Sequence, residues 1–238
     1  RALVAVLRAD GVEVRGARPT RARTARIGML VDAHGERSFV ADRGAADLLE
    51  PTDLKAAGFV DDGILHLPAY SLLGIPLGEA ATRAIVLARG AGAQVSVDLA
   101  SAVPLLATGR RQAHRLIGDA RPDVLFTNAA EAAAFLGTDD VEVLLRFAPV
   151  VVVKRGADGA TLLARSAAGP TLRLETATRP IAAADTTGAG DAFDGGFLAS
   201  WLATARSTAP GDLRRAVVAG HRAAARQIGT PRSELALG

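Results

Sequence analysis

The sequence predicts an α/β fold: a mainly parallel sheet with helices on both faces, preceded by a small β-hairpin. Three observations carry this. From Pro51 onward, short apolar runs alternate with stretches of helical period. Before Pro51, two runs of alternating polarity flank a turn signal. Near the C-terminus, a Gly-rich turn leads into an apolar helix, and open α/β sheets place ligands where strands give way to such turns.

Taken in order, residues 2–9 read as the end of a helix, stopped at Asp10-Gly11. Residues 24–31 alternate, with Ile27, Met29 and Val31 on one face. Asp32-Ala33-His34-Gly35 is the turn signal, and residues 37–41 form the second strand of the hairpin. Strands follow at 64–67, 94–99, 124–126 and 150–154, separated by helices at 77–89, 111–117 and 131–136. Residues 161–164 and 171–174 suit a later antiparallel hairpin, and 212–227 a final helix.

The 238 residues suffice for one α/β domain with a substantial core. A hydrophobic share of 49% excludes a disordered chain, and only 4% aromatics leaves the core to Ala, Val, Leu and Ile. The absence of cysteine removes disulfides, thiolate metal sites and a Cys nucleophile, and suits the cytoplasm. His34, His66, His114 and His221 show no metal-ligand spacing. The net charge of +3 does not point to nucleic acid, because acids are interspersed among the arginines. The densest basic stretch, Arg15, Arg18, Arg21, Arg23 and Arg26, has no interleaved aromatics for stacking on bases. No apolar run reaches the roughly 18 residues of a membrane span.

The turn Gly188-Ala189-Gly190 precedes Asp191, and Phe193, Phe197 and Trp201 then recur at helical spacing. Backbone N–H groups at such a helix start make an anion site, and Asp191 beside it is placed as a base. An anion hole with an adjacent carboxylate suits phosphoryl transfer to a hydroxyl. The same spacing also fits a plain turn before a core helix, with Asp191 a first-turn acid favoured by the dipole. Ala192, Gly195, Gly196 and Ala199 offer small positions where this helix would lie close to a sheet. Asn128 and Glu131 follow the strand at 124–126 and share one side of a first helical turn, or form a capping box there. Residues 154–159, Lys-Arg-Gly-Ala-Asp-Gly, follow the next strand and also fit a hairpin turn.

Asp-Thr-Thr-Gly-Ala-Gly-Asp-Ala-Phe, residues 185–193, resembles the C-terminal signature of the ribokinase-like (PfkB) family of carbohydrate kinases. The resemblance implies a three-layer α/β/α fold with a small β lid, whose strands lie within residues 12–42. It implies Asp191 as the base acting on the substrate hydroxyl, and Gly188, Ala189 and Gly190 as the anion hole. Asp185 and Thr187 resemble positions around the substrate and a monovalent cation, K⁺. Asn128 and Glu131 resemble the family's Asn-x-x-Glu motif, which orders Mg²⁺ and phosphate, with Glu131 acting indirectly on the metal. Residues 154–159 resemble the nucleotide-site loop, with Lys154, Gly156 and Gly159 on the cofactor. His221 falls where the family often has an Asn beside adenine. Residues 97–101 resemble its mid-sheet strand and loop. Residues 18–20, 35–37 and 43–45 resemble its lid region, and 229–231 its closing loop.

The resemblance runs from residue 1 to the C-terminus as a single kinase domain. It also implies an earlier strand with a sugar-binding Asp and a Gly-Gly segment with an Asn, and neither is among these residues. Residue 1 is Arg and the only Met is Met29, so the expectation is a domain lacking its N-terminal strands. The expected activity is transfer of the γ-phosphate of ATP, with Mg²⁺, to a hydroxyl of a small sugar. A nucleoside acceptor and a truncated, non-catalytic nucleotide binder are the alternatives. The expected partners are the small-molecule substrate and a second copy through the lid, with neither nucleic acid nor membrane.

Overall fold

A computed structural model describes residues 2–15, 22–31, 37–100, 102–166, 169–181 and 186–229. Helix α1 (Ala2–Ala9) is followed by a separate two-stranded antiparallel sheet, β1 (Arg26–Val31) with β2 (Arg37–Asp42). The expected turn at 32–35 and the lid residues 18–20 lie outside the described residues. Between residues 44 and 72 the chain runs through short 3₁₀ turns, interrupted by β3 (Ile64–Pro68).

The main sheet has six strands in sequential order: β3, β4 (Gln94–Asp98), β5 (Val124–Asn128), β6 (Val150–Lys154), β7 (Ala160–Ala164) and β8 (Leu172–Thr176). The first four are parallel, and β7 and β8 run antiparallel as a terminal meander. Helices α2 (Leu77–Gly90), α3 (Ala102–Ala107), α4 (Arg110–Ala120) and α5 (Ala129–Leu136) connect the parallel strands. The six-residue α3 was not expected from the sequence, where Pro104 breaks the pattern. Helices α6 (Ala189–Ala203) and α7 (Pro210–Gly229) close the chain. No helix among the described residues is long and apolar enough to cross a membrane.

Because side chains alternate along a strand, each strand feeds two cores. Val95, Val97, Leu125, Val151 and Val153 face α2–α5 and pack with Ala88, Ile117 and Phe135. Val124, Phe126, Val150, Val152 and Leu162 face α6 and α7 and pack with Phe193, Phe197, Trp201 and Val217. The Phe126 and Phe197 rings meet edge to face at 5.3 Å.

One expectation is corrected. The small residues of α6 do not bring it close to the sheet, where Phe193, Phe197 and Trp201 stand instead. A Cβ on Gly196 would lie 2.7 Å from Ala223 Cβ and 2.8 Å from the Ala219 carbonyl, so Gly196 admits α7. Gly220 on α7 returns the contact, where a Cβ would lie 2.9 Å from the Phe193 carbonyl. Gly195 faces open space. The aromatic stripe claims the sheet side, leaving the small residues to the helix–helix side.

Candidate active site

Asp98, Asn128 and Lys154 are the last residues of β4, β5 and β6, so three polar side chains stand at one end of the sheet. Asn128 and Lys154 are register partners across β5 and β6. A cavity of about 590 Å³ opens over them, bounded by the β6–β7 turn, the start of α6 and the inner side of α7. A larger groove of about 950 Å³ lies at the opposite end, among Arg89, Arg121, Arg146 and Arg165. It shares no lining residue with the smaller cavity, which holds the Gly-rich turn and Asp191.

Asn128 is the N-cap of α5. Its Oδ1 accepts from the Glu131 N–H at 2.8 Å, and Glu131 Oε2 accepts from the Asn128 N–H at 3.0 Å. This is a complete capping box, and both residues also line the cavity. The capping box and the cavity wall therefore share this helix start. The β6–β7 connection is a hairpin turn through residues 156–158, and Gly156 and Gly159 both line the cavity.

Gly188 caps α6 at φ +77°, a left-handed conformation that suits glycine. The Ala189 N–H reaches the Thr186 carbonyl at 3.1 Å, and the Ala192 N–H reaches the Gly188 carbonyl at 2.9 Å. The N–H groups of Gly190 and Asp191 lie in the first turn of α6, where the helix's own ladder supplies no acceptor. These are the orphan donors of a helix start, and both residues line the cavity. The Asp191 carboxylate stands exposed in the same first turn. Thr187 precedes the turn, and Asp185 lies outside the described residues.

His221 on α7 also lines the cavity. Its ring meets Phe193 edge to face at 5.1 Å, and its Nε2 is buried with no hydrogen-bond partner. Burial holds the imidazole below its usual pKa, with the Thr176 carbonyl opposing. A neutral ring with an unsatisfied nitrogen at a cavity wall is ready for a ligand donor or acceptor.

The structure also brings in residues that the sequence did not single out as site residues. Lys154 Nζ donates to Asp98 Oδ2 at 2.9 Å and to both oxygens of Asp194 at 3.0 and 3.2 Å. Asp194 is one turn beyond Asp191 on α6, with a side chain only 1% exposed. Burial and the neighbouring Asp98 carboxylate push Asp194 up to about 9. Burial works most strongly against ionised Asp98, but the Lys154 ammonium together with hydrogen bonds from Asp194 and the Ala100 N–H outweighs it and holds Asp98 below its ordinary value. Two buried carboxylates facing one ammonium leave one of them with a proton. His66 on β3 stands beside them, with Nδ1 2.9 Å from Ser96 Oγ and Nε2 3.9 Å from Asp194 Oδ2. The signal in the sequence was Asp194 itself, a carboxylate inside the apolar stripe next to Phe193.

Comparison with known proteins gives the family of the chain. The profile described as pfkB family carbohydrate kinase matches residues 1–235. An ATP-dependent ribose-1-phosphate kinase from Halopiger xanaduensis is 32% identical over 215 residues, covering 89% of this chain and 64% of its own length. A fructokinase from Klebsiella pneumoniae is 31% identical over 195 residues, covering 76% of this chain and 60% of its own. The chain thus spans somewhat under two thirds of the length of these relatives. The crystal structure of adenosine kinase from Sinorhizobium meliloti superposes with a TM-score of 0.80 at 25% identity, over 98% of this chain and 70% of that one.

Proposed function

The chain belongs to the pfkB family of carbohydrate kinases, and on that premise we propose that its cavity transfers the γ-phosphoryl group of ATP to a hydroxyl of a small sugar. One observation carries the reading: the first turn of α6, with Gly190 and the exposed Asp191, lines the same cavity as Asn128, Glu131, Lys154 and His221. An anion site, a base and a wall for a nucleotide thus share one space.

The substrate hydroxyl oxygen attacks the γ-phosphorus as the bond to the bridging oxygen of ADP breaks. The hydroxyl proton passes to the Asp191 carboxylate. The N–H groups of Gly190 and Asp191 face the charge on the transferring group, and the positive end of α6 adds to them. Asn128 and Glu131 hold each other at the strand end, which fixes the Glu131 carboxylate at the cavity rim. Mg²⁺ keeps most of its ligands as water and phosphate oxygen and needs only one or two carboxylates. Glu131 fits that demand, and among the described residues no cluster of three ligating side chains competes with it. When bound, the ion neutralises phosphate charge. The K⁺ reading rests on Thr187 and Asp185. His221 would meet the nucleotide base through Nε2.

The direct test is Asp191→Ala. Phosphoryl transfer falls by about 10²–10⁴-fold while ATP affinity is retained. Turnover near wild type with normal ATP binding sinks the role of Asp191. The likeness to adenosine kinase favours a nucleoside acceptor as the second reading. A substrate panel of sugars against adenosine, followed by ADP release, separates the two.

A further inference from the structure

The transfer step uses Asp191 and the Gly-rich turn, and leaves the most deeply buried charges beside the cavity without a task. Lys154, Asp98 and Asp194 have side chains 15%, 6% and 1% exposed. Such a cluster is expensive to bury, and apolar replacements of similar volume often serve stability as well or better. Its place is specific. A Cβ on Gly190 would lie 3.5 Å from Lys154 Nζ, so the ammonium sits directly beneath the anion turn. Asp194 ties that ammonium to the helix that carries Asp191. Asp98 ties it to the end of β4, where the Ala100 N–H also donates to the Asp98 carboxylate.

We propose that Lys154 is a positioning residue for phosphoryl transfer: clamped by Asp98 and Asp194, its ammonium fixes the start of α6 over the strand ends and holds positive charge under the site of the transferring phosphoryl group. The proposal rests on the kinase reading above and assigns new parts to Asp98 and Asp194. It also has a consequence for pH. With Asp98 ionised, Lys154 charged and Asp194 protonated, the cluster carries no net charge. His66, facing Asp194 from β3, is held neutral chiefly by its burial. Asp191, on the cavity side of α6, adds its own negative charge. Loss of the Asp194 proton at about pH 9 places one uncompensated negative charge beneath the anion turn. Lys154 remains charged through this range, because its two carboxylates outweigh its burial and hold its pKa above the ordinary value.

Calorimetric titration of a non-hydrolysable ATP analogue and of ADP tests this, with melting curves to confirm folding. Lys154→Met is expected to weaken the ATP analogue by about tenfold or more while changing ADP much less. If that variant does not fold, Lys154→Met combined with Asp98→Asn leaves no ionised carboxylate unpaired and takes the same measurement. Wild-type affinity for the ATP analogue is expected to drop between neutral pH and about pH 10, and Asp194→Asn is expected to abolish the drop. Equal weakening of both nucleotides, or an alkaline drop that persists in Asp194→Asn, overturns the clamp and leaves the kinase reading standing. A wild-type protein that binds neither nucleotide overturns both.

Discussion

The two faces of the central sheet are built from the same strands and differ in kind. The face under α2–α5 is largely apolar from β3 to β7, with Leu65, Val95, Val97, Leu125, Val151 and Leu163 in one continuous core and the uncharged Thr127 and Thr161 buried beside them. The face under α6 and α7 is apolar over β5–β8 but turns polar over β3 and β4, where His66, Ser96 and Asp98 stand. Along β4 the two characters alternate residue by residue: Val95 and Val97 on one side, Ser96 and Asp98 on the other. One face holds the fold together. The other gives up part of its burial so that a charged cluster reaches the cavity through Lys154 and Asp194.

The sharpest way to break this contrast is to remove one large side chain from each face. Phe135→Ala on the apolar face is expected to cost about 3–5 kcal/mol, read by urea unfolding, with nucleotide affinity of the folded protein unchanged. Lys154→Met on the mixed face is expected to cost about as much, roughly 3–5 kcal/mol, because it strands buried carboxylates. There the binding of the ATP analogue falls as well. Equal binding losses in the two variants would erase the functional difference between the faces.

A smaller effect is expected at the contact between α6 and α7. Gly196→Ala forces a methyl against Ala219 and Ala223, with an expected cost of about 1–3 kcal/mol and a lower Tm. Gly195→Ala, in open space one residue away, is expected to be neutral or slightly stabilising by the same melt.

The gentlest test is the dependence of stability on pH. Asp194 has a folded-state pKa of about 9 against an ordinary 3.8. Between these values the folded chain holds a proton that the unfolded chain has released. Stability from this group is therefore full below about pH 4 and declines as pH rises towards 9, by at most about 1.4 kcal/mol per pH unit. Asp194→Asn is expected to flatten that part of the curve. An unchanged slope in the variant would mean that Asp194 is ionised in the native protein.

Much of this architecture was legible in the residue pattern. The strand and helix order, the terminal antiparallel hairpin and the turn before α6 follow from periodicity and glycine placement, and the observed ends differ from the expected ones by a few residues. The missed helix α3 contains Pro104, which masks its pattern. Asn128 and Glu131 were readable because a capping box is local. Asp98 and Asp194 are 96 residues apart and carry meaning only once Lys154 joins them, which spacing along the chain does not reveal. The orientation of α6 was misjudged because small residues and an aromatic stripe each suit close packing. Which partner each receives is settled only when α7 is present.

The close approach of α6 and α7 at Gly196 and at Gly220 has one more consequence. Asp191 lies five residues before Gly196 on α6, and His221 directly follows Gly220 on α7. Gly196 lies against Ala219 and Ala223, and Gly220 against Phe193, so a side chain added at either position would push the helices apart. The two helices act as the jaws of a gauge, with the Asp191 carboxylate on one and the His221 imidazole on the other. A ligand bridging both jaws is measured by its length, and the setting of that gauge is written in two glycines that never touch it.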